Sequence, residues 1–238
     1  MALKKSSDVD VWLERETDHV RKALESASKH FDGKDNLTVN TLESVYARES
    51  SFGLPEKMGK RGSAQAAGHF QFRPDTAKRY NLNVSKNNDQ RFDIDYASSA
   101  AARYLKDLDN MFSRRTNLGT GYDTIPVNNA SERKKFTLGA YNAGEGRIAK
   151  AQRLAEEAGK NPQLWTDVEQ FLELAGASKT TAAEARQYVE KVPLYESEFA
   201  SKSPADKNMK QKEPRKGDYR CTEGHWRTID DRKVFICD

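Results

Sequence analysis

From Ile94 the chain reads IDYASSAAARYLKDLDNMF, an alanine-rich amphipathic stretch that predicts a helix over 94–113. It dominates a sequence built almost wholly on helical periodicity. Trp12, Val20, Leu24, Ala27 and Phe31 share one stripe, which predicts a helix over 8–31 stopped by Asp32-Gly33. A second helix is expected over 38–49, a short one over 76–80, and others over 131–142, 145–158, 164–174 and 180–191. Gly144 is placed as a C-cap. Residues 53–68 and 115–129 read as polar, glycine-containing loops. Only Tyr219–Cys237 resembles strands. The expected fold is therefore mainly α, with a small C-terminal β-hairpin-like appendage.

The totals set the bounds. In 238 residues, 32% are charged and 36% hydrophobic, with ten Phe, nine Tyr and three Trp to build a core. No run approaches the ~18 apolar residues of a membrane span, so a membrane-spanning chain is not expected. The net charge of +4 is spread through the sequence. That suits an anionic polymer, but it lacks the concentrated basic patch of a nucleic-acid binder. The N-terminus carries no apolar leader; the expectation is a signal peptide already removed. We expect an N-terminal helix packing on the domain (1–35), a helical domain (36–198), a lysine-rich polar linker (199–218) and a small cysteine-containing module (219–238).

Glu49 stands out. Leu42, Val45, Tyr46 and Glu49 follow the i, i+3, i+4, i+7 pattern, which puts a carboxyl on an apolar helix face. Burial disfavours its charged form and raises its pKa. Ser50-Ser51-Phe52-Gly53 ends the helix, so the negative end of the helix dipole also favours the proton. Such a group suits general acid catalysis near neutral pH. A surface glutamate at a frayed helix end fits the spacing as well.

Three segments follow in order: ARESSFG (47–53), AAGHFQFRPDTA (66–77) and GAYNAGEGRI (139–148). With EARQYVEKV (184–192) and the Tyr104-Leu105 pair, they resemble the signatures of the lytic transglycosylase SLT domain, across residues 45–192. The fold implied is lysozyme-like, of the goose-type kind, and the later segments are similar to transglycosylase F-like catalytic domains. The resemblance implies cleavage of the N-acetylmuramic acid–β-1,4–N-acetylglucosamine bond of peptidoglycan without water, leaving 1,6-anhydromuramyl ends. It makes Glu49 the sole acid and base, unlike the usual carboxylate pair. It makes Ser63, Phe70, Gln71, Tyr141, Asn142 and Tyr188 substrate-binding, with Phe70 an apolar wall and Tyr141 close enough to orient Glu49. No metal or cofactor is implied. Glycan strands are the implied partner, a monomer the expected state, and periplasm or cell envelope the expected compartment.

The chain departs from the family pattern in places. Glu49 and Gln71 are a few residues further apart than usual, and His69-Phe70 replaces Leu-Met, with His69 expected at the cleft rim. A hydrolase on this scaffold needs a second acid. Between Ser50 and Pro74 only Glu56 is acidic, with Asp75 just beyond and Asp93 and Asp95 more distant. A noncatalytic wall-binding scaffold is the third reading. In the C-terminal module, Cys221 and Cys237 could close a hairpin as a disulfide; zinc held with His225 is the weaker reading. A cell-envelope protein partner could dock on 219–238.

Overall fold

The computed structural model describes residues 7–119 and 121–202, and the backbone of 224–229 and 232–237. The chain divides into two compact units, Met1–Ala200 and Ser201–Asp238.

Among the described residues, the regular elements of the first unit are all helical. Helices α1 (Asp8–Leu13), α2 (Asp18–Ser28) and α3 (Val39–Ser50) precede the short α4 (Pro55–Met58) and α5 (Pro74–Arg79). A 3-10 turn at Gln90–Phe92 leads into α6 (Ile94–Ser113), followed by α7 (Ala130–Ala143) and α8 (Glu145–Glu157). Then come α9 (Trp165–Val168), a 3-10 turn at Glu169–Phe171, and α10 (Lys179–Lys202). The alanine-rich stretch forms α6 as the spacing predicted. Asp93 caps it by accepting from the amides of Asp95 and Tyr96. Ala97, Ala100 and Ala101 are buried without any exposure, and the helix packs against α2, α3 and α7. Small side chains at those contacts let neighbouring helices approach closely. Gly139 of α7 serves the same end, because a Cβ there would lie 2.3 Å from the Trp165 ring.

The structure corrects four expected boundaries. The helix over 8–31 is two helices, since Thr17 accepts from the Val20 amide and starts α2 anew. The helix expected over 164–174 is one α-turn followed by a 3-10 turn. The helix expected to stop at 191 continues through Pro193 to Lys202. Proline removes one helical hydrogen bond, but buried Phe199, stacked 5.6 Å from Phe52 and 6.3 Å from Trp12, holds the extension in place. The linker therefore cannot begin at 199. The rest of that linker and the side chains of Cys221 and Cys237 lie outside the described residues. In the second unit, β1 (Gly224–Ile229) and β2 (Arg232–Cys237) pair antiparallel, with Gly224 opposite Cys237 and Ile229 opposite Arg232.

Two buried charge clusters stand out in the first unit. Arg91 is wholly buried and grips both oxygens of Asp89, at 2.9 and 2.7 Å. It also donates to the carbonyls of Ser63, Gln65 and Phe72, which ties down the loop after α4. Burial opposes ionisation of Asp89, yet hydrogen bonds from Arg91 and the Gly62 amide hold its pKa below the usual range. On α3 itself, buried Glu43 has one oxygen without a partner. Burial, with repulsion from Glu16 and Glu25 and only Arg21 opposing, pushes its pKa up to about 8.

Two outcomes are expected. Arg91→Ala leaves a buried carboxylate unpaired and should lower stability by about 3–5 kcal/mol in denaturant unfolding. Native Glu43 holds its proton up to about pH 8, while the unfolded side chain releases it near 4.5. The folded state binds more protons in that window, so stability falls as pH rises through it. Glu43→Gln should flatten that fall in thermal unfolding followed from about pH 4 to about pH 9.

Candidate active site

Helix α3 opens with a capping box between Thr38 and Thr41 and presents Glu49 in its last turn. It ends abruptly. Ser51, Phe52 and Gly53 all have positive φ, at 51°, 60° and 74°. Left-handed backbone at a phenylalanine is strained and needs outside support. Here the Phe52 ring packs 4.7 Å from Tyr46 and against Phe199. Ser50 Oγ donates to the His69 carbonyl at 2.8 Å and accepts from the Gly53 amide at 3.0 Å. Arg15 donates to the Ser51 carbonyl. The chain therefore turns away just past Glu49 and leaves its carboxyl facing a cleft.

That cleft measures about 910 Å³. Glu49, Phe70, Gln71, Tyr141 and Asn142 line it, with Arg73, Asp75, Arg79, Tyr104, Glu145 and Arg147 further around the wall. Glu49 Oε1 accepts from the Tyr188 hydroxyl at 2.8 Å. Burial raises the Glu49 pKa to about 7, against the lowering effects of that hydrogen bond and of Arg48. Near neutral pH such a carboxyl can both give and take a proton.

The expected site residues take different positions around it. Tyr188 lies buried beside Glu49 and is not on the cleft wall. It does the orienting expected of Tyr141. Tyr141 instead stacks 6.2 Å from Tyr188 and donates to the Phe70 carbonyl at 3.0 Å. Phe70 is 1% exposed and stacked on Tyr46, so it backs the cleft wall more than it offers a face to a ligand. Gln71 lines the cleft in a left-handed conformation, φ 48°, with its amide nitrogen donating to the Gly68 carbonyl. Its side chain thus closes its own turn while its oxygen remains available. Asn142 lines the cleft with a buried Oδ1 that has no partner. A buried acceptor left unpaired suits a donor brought by a ligand.

Ser63 is not among the cleft-lining residues. Its hydroxyl accepts from the Gln65 amide and its carbonyl from Arg91, which turns this stretch toward Asp89. His69 is not a rim residue either. It lies half-buried, with Nδ1 3.0 Å from the Tyr46 hydroxyl, and burial pushes its pKa down to about 4. Gly68 can only be glycine, because φ is 83° and a Cβ would fall 2.0 Å from the Arg91 carbonyl oxygen.

Sequence reasoning missed the far end of the cleft. Arg79 pairs with Glu145 Oε1 at 3.0 Å, and the Tyr104 hydroxyl donates to Glu145 Oε2 at 3.3 Å. Glu145 lines the cleft beside Glu49 and Asp75, but both its oxygens are engaged. Only its place at the start of α8, inside GAYNAGEGRI, hinted at it. Among the described residues no cluster of three metal-ligating side chains occurs, and no helix is long and apolar enough to cross a membrane.

A family model of the transglycosylase SLT domain matches residues 27–164. The chain belongs to that family. The mainly helical fold agrees with this SLT, lysozyme-like assignment. Residues 27–164 hold every cleft-lining residue but not Tyr188. The membrane-bound lytic murein transglycosylase D of Escherichia coli (strain K12) is 31% identical over 103 residues, 43% of this chain and 19% of that protein. The membrane-bound lytic murein transglycosylase F of Aeromonas hydrophila is 40% identical over 73 residues, 27% of this chain and 15% of the relative. The F enzyme of Shewanella loihica is 29% identical over 116 residues, 45% of this chain and 22% of the relative. The chain thus spans about a fifth of the length of the relatives it matches.

Tyr188→Phe removes the donor that favours the Glu49 carboxylate. The Glu49 titration should then move above 7 by about one unit in carboxyl carbon NMR. An unchanged titration would show that this hydroxyl does not govern it.

Proposed function

We propose that this SLT domain is a peptidoglycan lytic transglycosylase acting in the cell envelope. The observation that carries the reading is Glu49, set on the cleft wall with its pKa raised to about 7. The protonated Glu49 gives its proton to the glycosidic oxygen between the muramyl and glucosaminyl rings. As the C1–oxygen bond breaks, the muramyl C6 hydroxyl attacks C1. Its proton passes to the Glu49 carboxylate, which restores the starting acid. No water enters and no second carboxylate is required. Asn142 Oδ1 receives a sugar N–H or O–H, and Gln71 Oε1 offers a second acceptor. Tyr188 acts through Glu49 by holding its carboxyl.

The hydrolytic alternative needs a free base facing a water. Two acids besides Glu49 line the cleft. Glu145 spends both oxygens on Arg79 and Tyr104, so hydrolysis would have to use Asp75, and the relatives matched are named transglycosylases, which weighs against it. The names of the relatives, which act on murein and are membrane-bound, support both the substrate and the compartment.

Digestion of purified peptidoglycan, followed by mass spectrometry of the soluble muropeptides, tests the reading. The expected products end in 1,6-anhydromuramic acid. Glu49→Gln should lower the rate by at least about 10²-fold, and wild-type kcat/KM should fall above about pH 7 as Glu49 loses its proton. Reducing muramic ends would overturn the transglycosylase reading in favour of hydrolysis.

A further inference from the structure

Three arginines line the cleft, and they are not equivalent. Arg79 is paired with Glu145. Arg147 donates to the Ala143 carbonyl. Arg73 is exposed, and its guanidinium has no hydrogen bond or ion pair with any described residue. Asp75, two residues on, makes no ion pair with it.

The mount of Arg73 is rigid although its side chain is free. Pro74 follows and confines residue 73 to extended backbone, observed at φ −70° and ψ 151°. Phe72 before it bridges to Ala67, and its carbonyl accepts from the buried Arg91. The guanidinium thus stands on a fixed post, two residues after Gln71, with its full set of donors unspent.

A neutral glycan gives such a group hydroxyls and amides, but no charge. A carboxylate matches its planar fork in two parallel hydrogen bonds. Resting on the proposed activity, we infer that Arg73 reads a carboxylate on the muramyl substituent of the strand. The protein therefore prefers strands that carry that anion over neutral strands. Two substituents supply the chemistry: the acidic stem peptide, or the lactyl carboxylate left when the stem is removed.

The test uses the full chain and three soluble glycan preparations. One keeps its stem peptides. One has the stems removed by an amidase, leaving lactyl carboxylates. One keeps its stems with every carboxylate converted to an amide. Wild type should show kcat/KM lower by about tenfold or more on the amidated strands than on at least one of the two charged preparations. Arg73→Gln should bring that ratio close to one, and Arg73→Lys should restore part of it. High salt should weaken KM on the charged strands and not on the amidated ones. If only the amidase-treated strands outrun the amidated ones, the anion read is the lactyl group; if only the stem-bearing ones do, it is on the peptide; if both do, Arg73 takes either carboxylate.

Equal wild-type kcat/KM on all three preparations overturns the inference, as does an unchanged ratio in Arg73→Gln. Because the Arg73 side chain makes no hydrogen bond or ion pair with any described residue, its variants should unfold close to the wild-type temperature, which separates recognition from folding. Failure of the proposed activity looks different: wild type would then release no anhydromuramyl ends from any preparation.

Discussion

Arg91 keeps a full charge out of water, and one wall of the cleft hangs on it. Its five donors are shared between the two oxygens of Asp89 and the carbonyls of Ser63, Gln65 and Phe72. A buried guanidinium is tolerable only when its partners are in place. The loop carrying Gln71 and Arg73 therefore cannot relax without exposing or stranding a charge. This explains how a glycine-rich, polar segment becomes a rigid wall. The bond from the His69 amide to the Arg91 carbonyl, and the glycine at 68, follow from the same close approach.

At the turn after Glu49, rigidity comes from strain held by packing. Three left-handed residues after α3 would not persist alone. The aromatic contacts of Phe52 and the Ser50 hydroxyl hold them, and the helix stops where Glu49 faces the cavity. Helix α10 supplies Tyr188 to Glu49 from its first half and supports the same turn through Phe199 near its end. One long helix thus serves both the turn and the acid, which is why it runs on through Pro193. The acid is poised by two opposing effects. Burial raises its pKa, while the Tyr188 hydroxyl and Arg48 keep the carboxylate accessible.

Much of this was legible beforehand. The helical periodicity marked nearly every long element, and the i, i+3, i+4, i+7 spacing placed Glu49 at a helix end on an apolar face. Boundaries failed where a cap or a distant contact overruled the local pattern, at Thr17 and at Phe199. Within the site, Tyr141 and Tyr188 exchanged their expected parts. Residue type marked both as useful, but nothing local says which hydroxyl reaches a carboxyl carried on a helix far away in sequence. Ser63 was misplaced for a related reason: its loop is folded by Arg91, a residue 28 positions later.

Sequence alone determined the helical class, the acid and the family signatures, because periodicity and short motifs are local properties. Tertiary structure decided the pKa of that acid, the identity of its hydrogen-bond donor, the occupation of Glu145 and the freedom of Arg73. Each depends on burial or pairing between segments distant in the chain, and those terms exist only once the helices have packed.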